Sequence, residues 1–493
     1  MKHPNSPRLW ALVAACLVLS IAGTWGSSRA QDIPPADPSH PWLAKGDSLV
    51  AAGKGELARD SYREVLKAHG DDVELWLRLA AVETALGNVT QGLEAAKKAR
   101  KLDPKGADPY LMLAQAQFAN GDATTALKTL ESGVSEHQDD IPLLEALVTV
   151  KIAMQKWADA GGLLRQLILL DGSNPMYFMD LGRIQHRVGE MDEAYSNLKK
   201  ALSLGASRSE ALALLGHVCL GLGRLDEAKS DLEESLSIEP SAEAWSGLAG
   251  LHFLQGDPAA AEKAFHEALR LDPKDPDSWF NLGNSLVVQE KMPEAEEAYR
   301  QAIKVDPGPS SASARLNLGV LLLTRGKVDE AKKLLTEAAR LNPKLPGPHL
   351  HLARIAGARF NYEQARQHYL DYQKVVPDDK EKKRIDGVLA ELDTQIKERK
   401  ASLAKGEVHL LQIMTKEKSE ADEARSRVEA GEDFYAVGQA LSKLAKITGV
   451  DIGYVDPKAL NPSFQRAIEA LKVGELSAVL QGPNGYYLFQ RVE

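Results

Sequence analysis

Residues 276–309 read PDSWFNLGNSLVVQEKMPEAEEAYRQAIKVDPGP, and this stretch decides the fold. Trp279 stands at its position 4, Leu282-Gly283 at 7 and 8, Ala295 at 20, Tyr299 at 24 and Pro307 at 32. The Leu-small pair recurs as Leu79-Ala80, Leu113-Ala114, Leu181-Gly182, Leu215-Gly216, Leu248-Ala249, Leu318-Gly319 and Leu352-Ala353, with Leu147-Val148 filling the one gap. Most steps are 34 residues, one is 33 and one is 36. A fixed period of this length marks a helical repeat array, in which each unit buries its apolar face against its neighbours.

The other positions agree with two antiparallel helices per unit. Position 4 is aromatic in Trp42, Trp76, Tyr110, Phe178, Trp245 and Trp279. Position 20 is alanine at 58, 126, 160, 194, 228, 261, 295, 331 and 365, and position 24 is bulky, as in Tyr62, Leu198, Phe265 and Tyr299. Small residues at 8 and 20 let the helices approach, large ones at 4, 7 and 24 fill the space between them, and Gly with Asp or Asn near 14 makes the turn. Proline at 32 closes the unit. Ten units start near 39, 73, 107, 141, 175, 209, 242, 276, 312 and 346. The fourth is the weakest, with Leu144, Val148 and Gly172 in place of the aromatic, the small residue and the proline.

Spacing and residue types together resemble the tetratricopeptide repeat (TPR) family, whose signature the 276–309 unit matches at nearly every position. The resemblance implies a mainly α protein, an α-solenoid whose first helices line a concave, protein-binding face. Some TPR chaperone cofactors grip a carboxylate there with paired Lys and Asn. Asn281, Asn284 and Asn317 match part of that set, but Phe280 and Leu316 occupy the lysine positions. Phe280, Val287, Val288, Leu316, Val320 and Leu323, with Asn284, form either an apolar groove in units eight and nine or part of the packing inside the array.

Composition fits long packed helices, with aromatics at only 6% and a formal net charge of −9. Residues 1–30 carry Lys2, Arg8 and Arg29 and no acid, so their removal takes the charge to −12. An acidic array disfavours nucleic acid, which needs a basic footprint. Residues 1–30 read as an export signal: Lys2, His3 and Arg8, an apolar run from Leu9 to Ala22, then Ser28-Arg29-Ala30 with small residues at the two positions a signal peptidase inspects. Cleavage near Ala30 gives an exported, periplasmic protein with no membrane span. Only Cys219 then remains, which excludes an internal disulfide.

After a linker over 31–38 and the array over 39–379, residues 380–404 carry Ile385, Leu389, Leu392 and Ile396 on one stripe, as expected of an amphipathic helix covering the last repeat. The period changes from residue 405 onward. Val408–Met414, 450–455, 478–481 and 486–492 read as strands, 419–431, 434–446 and 462–471 as helices, and Gly482-Pro483-Asn484-Gly485 as a hairpin turn. The result is a small α+β domain.

Gly431-Glu432-Asp433-Phe434, Asp451-Ile452-Gly453-Tyr454, Asn461-Pro462-Ser463-Phe464 and Leu471-Lys472-Val473-Gly474-Glu475-Leu476 resemble, in order and spacing, the parvulin (PpiC-type) peptidyl-prolyl isomerase family over 407–493. The resemblance implies a proline pocket lined by Leu460 and Phe464, with Tyr454 beside it. The family's polar positions are altered. Gln412 stands for the first-strand histidine, Leu444 for the Cys or Asp of the second helix, and Tyr487 for the last-strand histidine. His409 lies three residues before Gln412, on the other side of a strand.

No phosphate loop, dinucleotide fingerprint or metal set stands out, and His252, His266, His349 and His368 read as scattered among the repeats. No cofactor is expected. The reading is a protein- or peptide-binding adaptor or holdase of envelope folding, with a degenerate parvulin-type module. An active isomerase fed by the repeats, or a structural scaffold, is the alternative.

Overall fold

The computed structural model describes residues 43–445 and 450–493, so the expected export segment, the linker and Trp42 lie outside the described residues. The chain divides into two compact units, Met1–Pro273 and Lys274–Glu493.

In the first unit the described residues form seven antiparallel helical pairs: α1 (Ala44–Ala51) with α2 (Gly55–Leu66), α3 (Val73–Ala85) with α4 (Val89–Leu102), α5 (Ala107–Ala119) with α6 (Ala123–Glu136), α7 (Ile141–Ala153) with α8 (Trp157–Leu170), α9 (Pro175–Val188) with α10 (Met191–Ser203), α11 (Arg208–Gly221) with α12 (Leu225–Ile238), and α13 (Ala242–Leu254) with α14 (Pro258–Leu271). Three further pairs open the second unit: α15 (Pro276–Val288) with α16 (Met292–Val305), α17 (Ala312–Thr324) with α18 (Val328–Leu341), and α19 (Pro346–Ala358) with α20 (Tyr362–Val375).

The repeated residues do what their sizes demand. Every position-20 alanine, from Ala58 to Ala365, is fully buried. The position-8 glycines yield to the bulky position 24 of the same unit: a Cβ at Gly283 would stand 2.6 Å from the Tyr299 ring, and one at Gly182 2.8 Å from Leu198. Side-chain oxygens of Asp72, Asp140, Ser241 and Asp275 accept backbone N–H groups at the starts of first helices, each cap contributing about 1 kcal/mol. Position 15 turns the chain between the helices of every pair with a positive φ. Gly53, Gly87, Gly121, Gly189, Gly223, Gly256 and Gly326 serve in seven units, but Gln155, Glu290 and Phe360 adopt φ of 58° to 59° in the others. Cys219 is buried.

After the last pair, α21 (Asp379–Ala404) buries Ile385, Leu389 and Leu392. Ile385 and Leu389 pack with Tyr372 and Val376, and Leu392 with Ala356 and Ala365, so this stripe covers the end of the array. Four antiparallel strands follow, β1 (Val408–Thr415), β2 (Asp451–Val455), β3 (Leu480–Gly482) and β4 (Gly485–Arg491), in the order β2-β1-β4-β3. Period-two alternation splits β1 between two cores. Leu411 and Ile413, with Leu488, pack under α22 (Lys418–Glu429) and α23 (Phe434–Ala445), against Ala424, Phe434 and Val437. Val408 and Leu410, with Tyr487 and Phe489, pack under α24 (Pro462–Glu469), against Phe464 and Ile468. Gly485 closes the β3–β4 hairpin at a φ of 148°, where any Cβ would collide with the Thr415 carbonyl.

The change of period near residue 405 marks where strands begin, whereas the compact second unit reaches from Lys274 to the last residue. The reason is physical: contacts from Phe360 and Arg399 cross that point.

Candidate functional site

The face of the sheet under α24 is built by a cap and three aromatic rings. Asn461 Oδ1 accepts the backbone N–H of Ser463 at 3.1 Å and of Phe464 at 2.9 Å, and Pro462 opens the helix. This fixes where Phe464 enters the sheet. Its ring centroid lies 5.1 Å from that of Tyr487 and 5.3 Å, edge-on, from that of Phe489, while Tyr487 and Phe489 lie 6.1 Å apart and 14° from parallel. Such pairs contribute about 0.5–1.5 kcal/mol each beyond area burial. Phe464 and Tyr487 are each 7% exposed. Met414, Ile452, Leu460 and Leu480 surround them, half-buried.

The strand register adds Gln412, which pairs with Phe489 while Met414 pairs with Tyr487. Alternation places Gln412 on the side of Leu410 and Met414, half-buried. The structure thus brings Gln412, Leu460, Phe464 and Tyr487 to one face. No carboxylate, amine or imidazole is among them. Such a surface can hold an apolar ring such as proline and offer an amide and a phenol to the adjoining peptide bond. Leu444 lies in the last turn of α23, and its side chain lies outside the described residues.

Tyr454, expected beside the pocket, is elsewhere. Gly453 kinks β2 with a φ of 74°, and the β1–β2 register slips between Leu410 and Leu411. Tyr454 therefore pairs with His409, its ring 4.8 Å away, and donates its hydroxyl to Glu493 Oε2 at 2.7 Å. Burial first, then the hydrogen bond and charge of Glu493, push the phenol pKa up.

That side of the sheet forms a joint with the last repeat and α21, which sequence reasoning missed. His409 is 2% exposed, with Nε2 2.8 Å from Asp451 Oδ1 and its ring edge-on to Phe360 at 4.4 Å. The Arg399 guanidinium binds Glu493 and donates to Glu363 of α20 at 2.5 Å. The signal was present: Phe360 occupies the turn position that seven other units give to glycine, and an aromatic residue accepts positive φ only at a cost of about 1–2 kcal/mol.

In the array, the expected groove is half packing. Leu316 lies against Gly347 of the next unit, where an added Cβ would stand 2.6 Å away, and both Leu316 and Leu323 join the core of Leu335, Leu352 and Ile355. Phe280 leans on Tyr299 at 6.1 Å, Val287 and Val320 are half-buried, and Val288 is exposed. Asn284 Oδ1 accepts from Tyr299 Oη at 2.8 Å and from Asn317 Nδ2 at 2.9 Å. These asparagines satisfy one another, a ladder between units and not a free carboxylate clamp. The first unit builds the same device from Asp47, which accepts from Tyr62 at 2.6 Å and from Arg78 of the next unit at 2.8 Å.

Known proteins resemble the two parts separately. Tetratricopeptide repeat families match residues 43–107 and 84–151, the family described as cilia and flagella-associated protein 70 C-terminal domain matches 145–386, and the PPIC-type PPIASE domain matches 390–493. Foldase protein PrsA 2 of Bacillus anthracis is 32% identical over 88 residues, 17% of this chain and 31% of that protein. Chaperone SurA of Nitrosospira multiformis is 35% identical over 92 residues, 17% of this chain and 21% of that protein. The small glutamine-rich tetratricopeptide repeat-containing protein 2 of Mycosarcoma maydis is 28% identical over 121 residues, 23% of this chain and 34% of that protein. The chain spans about a third or less of the length of these relatives.

Proposed function

We propose that this chain, a tetratricopeptide repeat protein with a C-terminal PPIC-type domain, is an exported client-binding chaperone whose terminal domain holds proline-containing peptides without isomerising them. The repeats and the relatives named foldase and chaperone support a protein-binding, chaperone-like role. The finer reading rests on the aromatic face beside Gln412, with Gln412 and Tyr487 at the two positions that, by the resemblance, the parvulin family gives to histidine. Prolyl isomerisation is accelerated only by contacts stronger to the twisted amide than to the planar one. A neutral apolar face supplies binding to both. Repeats and domain on one chain raise avidity for a client that engages both, through effective concentration. Export rests on the pattern of residues 1–30, and a mature protein starting near Gln31 in the extracytoplasmic fraction is the expected result.

The test is exchange spectroscopy of an Ala-Pro peptide with the full chain. Peptide shifts without faster cis–trans exchange support the proposal. Exchange accelerated by the wild-type chain overturns it and makes the protein an isomerase with an altered polar set. Phe464→Leu, which keeps an apolar side chain but removes the ring, is expected to weaken peptide binding about tenfold, or about 1.4 kcal/mol.

A further inference from the structure

The last helical pair gathers two histidines and an aspartate that the sequence leaves scattered. His349 lies in the first turn of α19, at the position where six other units carry an aromatic ring, and His368 and Asp371 lie one turn apart on α20. A ring nitrogen of each histidine and a carboxylate oxygen of Asp371 lie within 4.8 Å of one another. The Nδ1 atoms of both rings are buried, with no hydrogen-bond partner among the described residues.

The other nitrogen of the His349 ring is held by the backbone. Nε2 lies 3.2 Å from the Pro343 carbonyl oxygen, which can only accept, so Nε2 is the donor of that contact. A backbone carbonyl holding the far nitrogen is the usual support of a metal-binding imidazole. Asp371 accepts from Lys374 Nζ at 2.9 Å and from Gln367 Nε2 at 3.2 Å. Two buried ring nitrogens without hydrogen-bond partners among the described residues, beside a carboxylate, are incomplete as hydrogen-bonding groups and fit a ligand set.

We propose that His349, His368 and Asp371 bind a divalent first-row transition ion, zinc by preference, which ties α19 to α20. Two imidazoles and one carboxylate suit zinc and disfavour calcium and magnesium, which take oxygen ligands. Three protein ligands leave one position for water. The Asp371–Lys374 ion pair at 2.9 Å and the charge of Lys332 oppose the ion, so Asp371 is the weakest of the three ligands.

The test is titration of Zn²⁺ into the metal-free full chain by competition with a chelator, using wild type, His349→Gln, His368→Gln, Asp371→Asn and Cys219→Ser. The last variant controls for the one other cluster of this kind among the described residues, Cys219 with Glu227 and Asp231. The expected result is one bound ion whose affinity falls at least about tenfold in each histidine variant, falls less in Asp371→Asn and is unchanged in Cys219→Ser. Zn²⁺ should raise the melting temperature of wild type but not of His368→Gln. Equal affinity in wild type and the histidine variants, or loss confined to Cys219→Ser, overturns the proposal. If the histidine variants fail to fold, Asp371→Asn decides: weakened binding supports the site and unchanged binding overturns it.

Discussion

The eighth and tenth repeats share a backbone and differ in what they hold. In the eighth, Trp279 occupies position 4, Glu290 the left-handed turn at φ 59°, and Tyr299, 2% exposed, position 24. In the tenth, His349, Phe360 and the half-buried Tyr369 stand at the same places. In the eighth, Tyr299 packs against Gly283 and Phe280, and Glu290 is exposed. The tenth turns them to other work: Phe360 meets His409 of the sheet domain, and His349 meets His368. At His349 and Phe360, departure from the pattern of the array goes with a contact that the eighth repeat lacks.

The largest effect that could break this comparison is at Phe360. Its ring packs on the core formed by Leu411, Ile413 and Phe434 and lies edge-on to His409. Phe360→Ala is expected to remove about 2–3 kcal/mol, less than for a fully buried ring because Phe360 is only half-buried. Hydrogen exchange of the β1 amides should quicken accordingly, while the turn of the eighth repeat stays protected. Unchanged β1 exchange would mean that the joint is held by Arg399 and Glu493 alone.

A smaller effect separates the two repeats by pH. The pKa of His368 is lowered in the folded chain, chiefly by burial and further by His349 and Lys332, against the opposing charge of Asp371. A histidine depressed in this way binds its proton more readily when unfolded. The fold is therefore undisturbed above the unfolded value near 6.5 and loses stability as pH falls through and below it. Local exchange in α19 and α20 should rise on acidification from neutral pH, with α15 and α16 unaffected, and His368→Gln should flatten the response. An identical response in both repeats would remove the distinction.

Much of this was legible because the array states each rule many times. Ala295 or Leu282 could be assigned from any one unit, and the buried small-residue contacts follow from side-chain volume. The sheet domain states each rule once, and there the reading leaned on resemblance. Leu460 and Phe464 could be placed together, whereas Tyr454 was assigned to the wrong side because a single glycine and a register slip rotate β2. Leu316 looked like groove because its packing partner, Gly347, lies one unit on. His349 and His368 were invisible as a pair because they meet across a helical hairpin, a phase relation that linear spacing does not display.

The finest contrast is at the turn itself. Glu290→Gly relieves a left-handed conformation that disfavours a side chain by about 1–2 kcal/mol, and loses about 0.5–1 kcal/mol to the greater freedom of an unfolded glycine. A net gain of about 0.5–1 kcal/mol should appear in urea unfolding. Phe360→Gly relieves the same backbone at φ 58° but gives up the ring contacts with His409 and the sheet core, which outweigh it, so its net effect is destabilising. The opposite signs at one backbone position are the signature of a residue kept in a strained place for its contact. If both glycine variants stabilised the chain, Phe360 would be an ordinary lapse in the repeat, as Gln155 and Glu290 are, and the sheet domain would owe its position to something else.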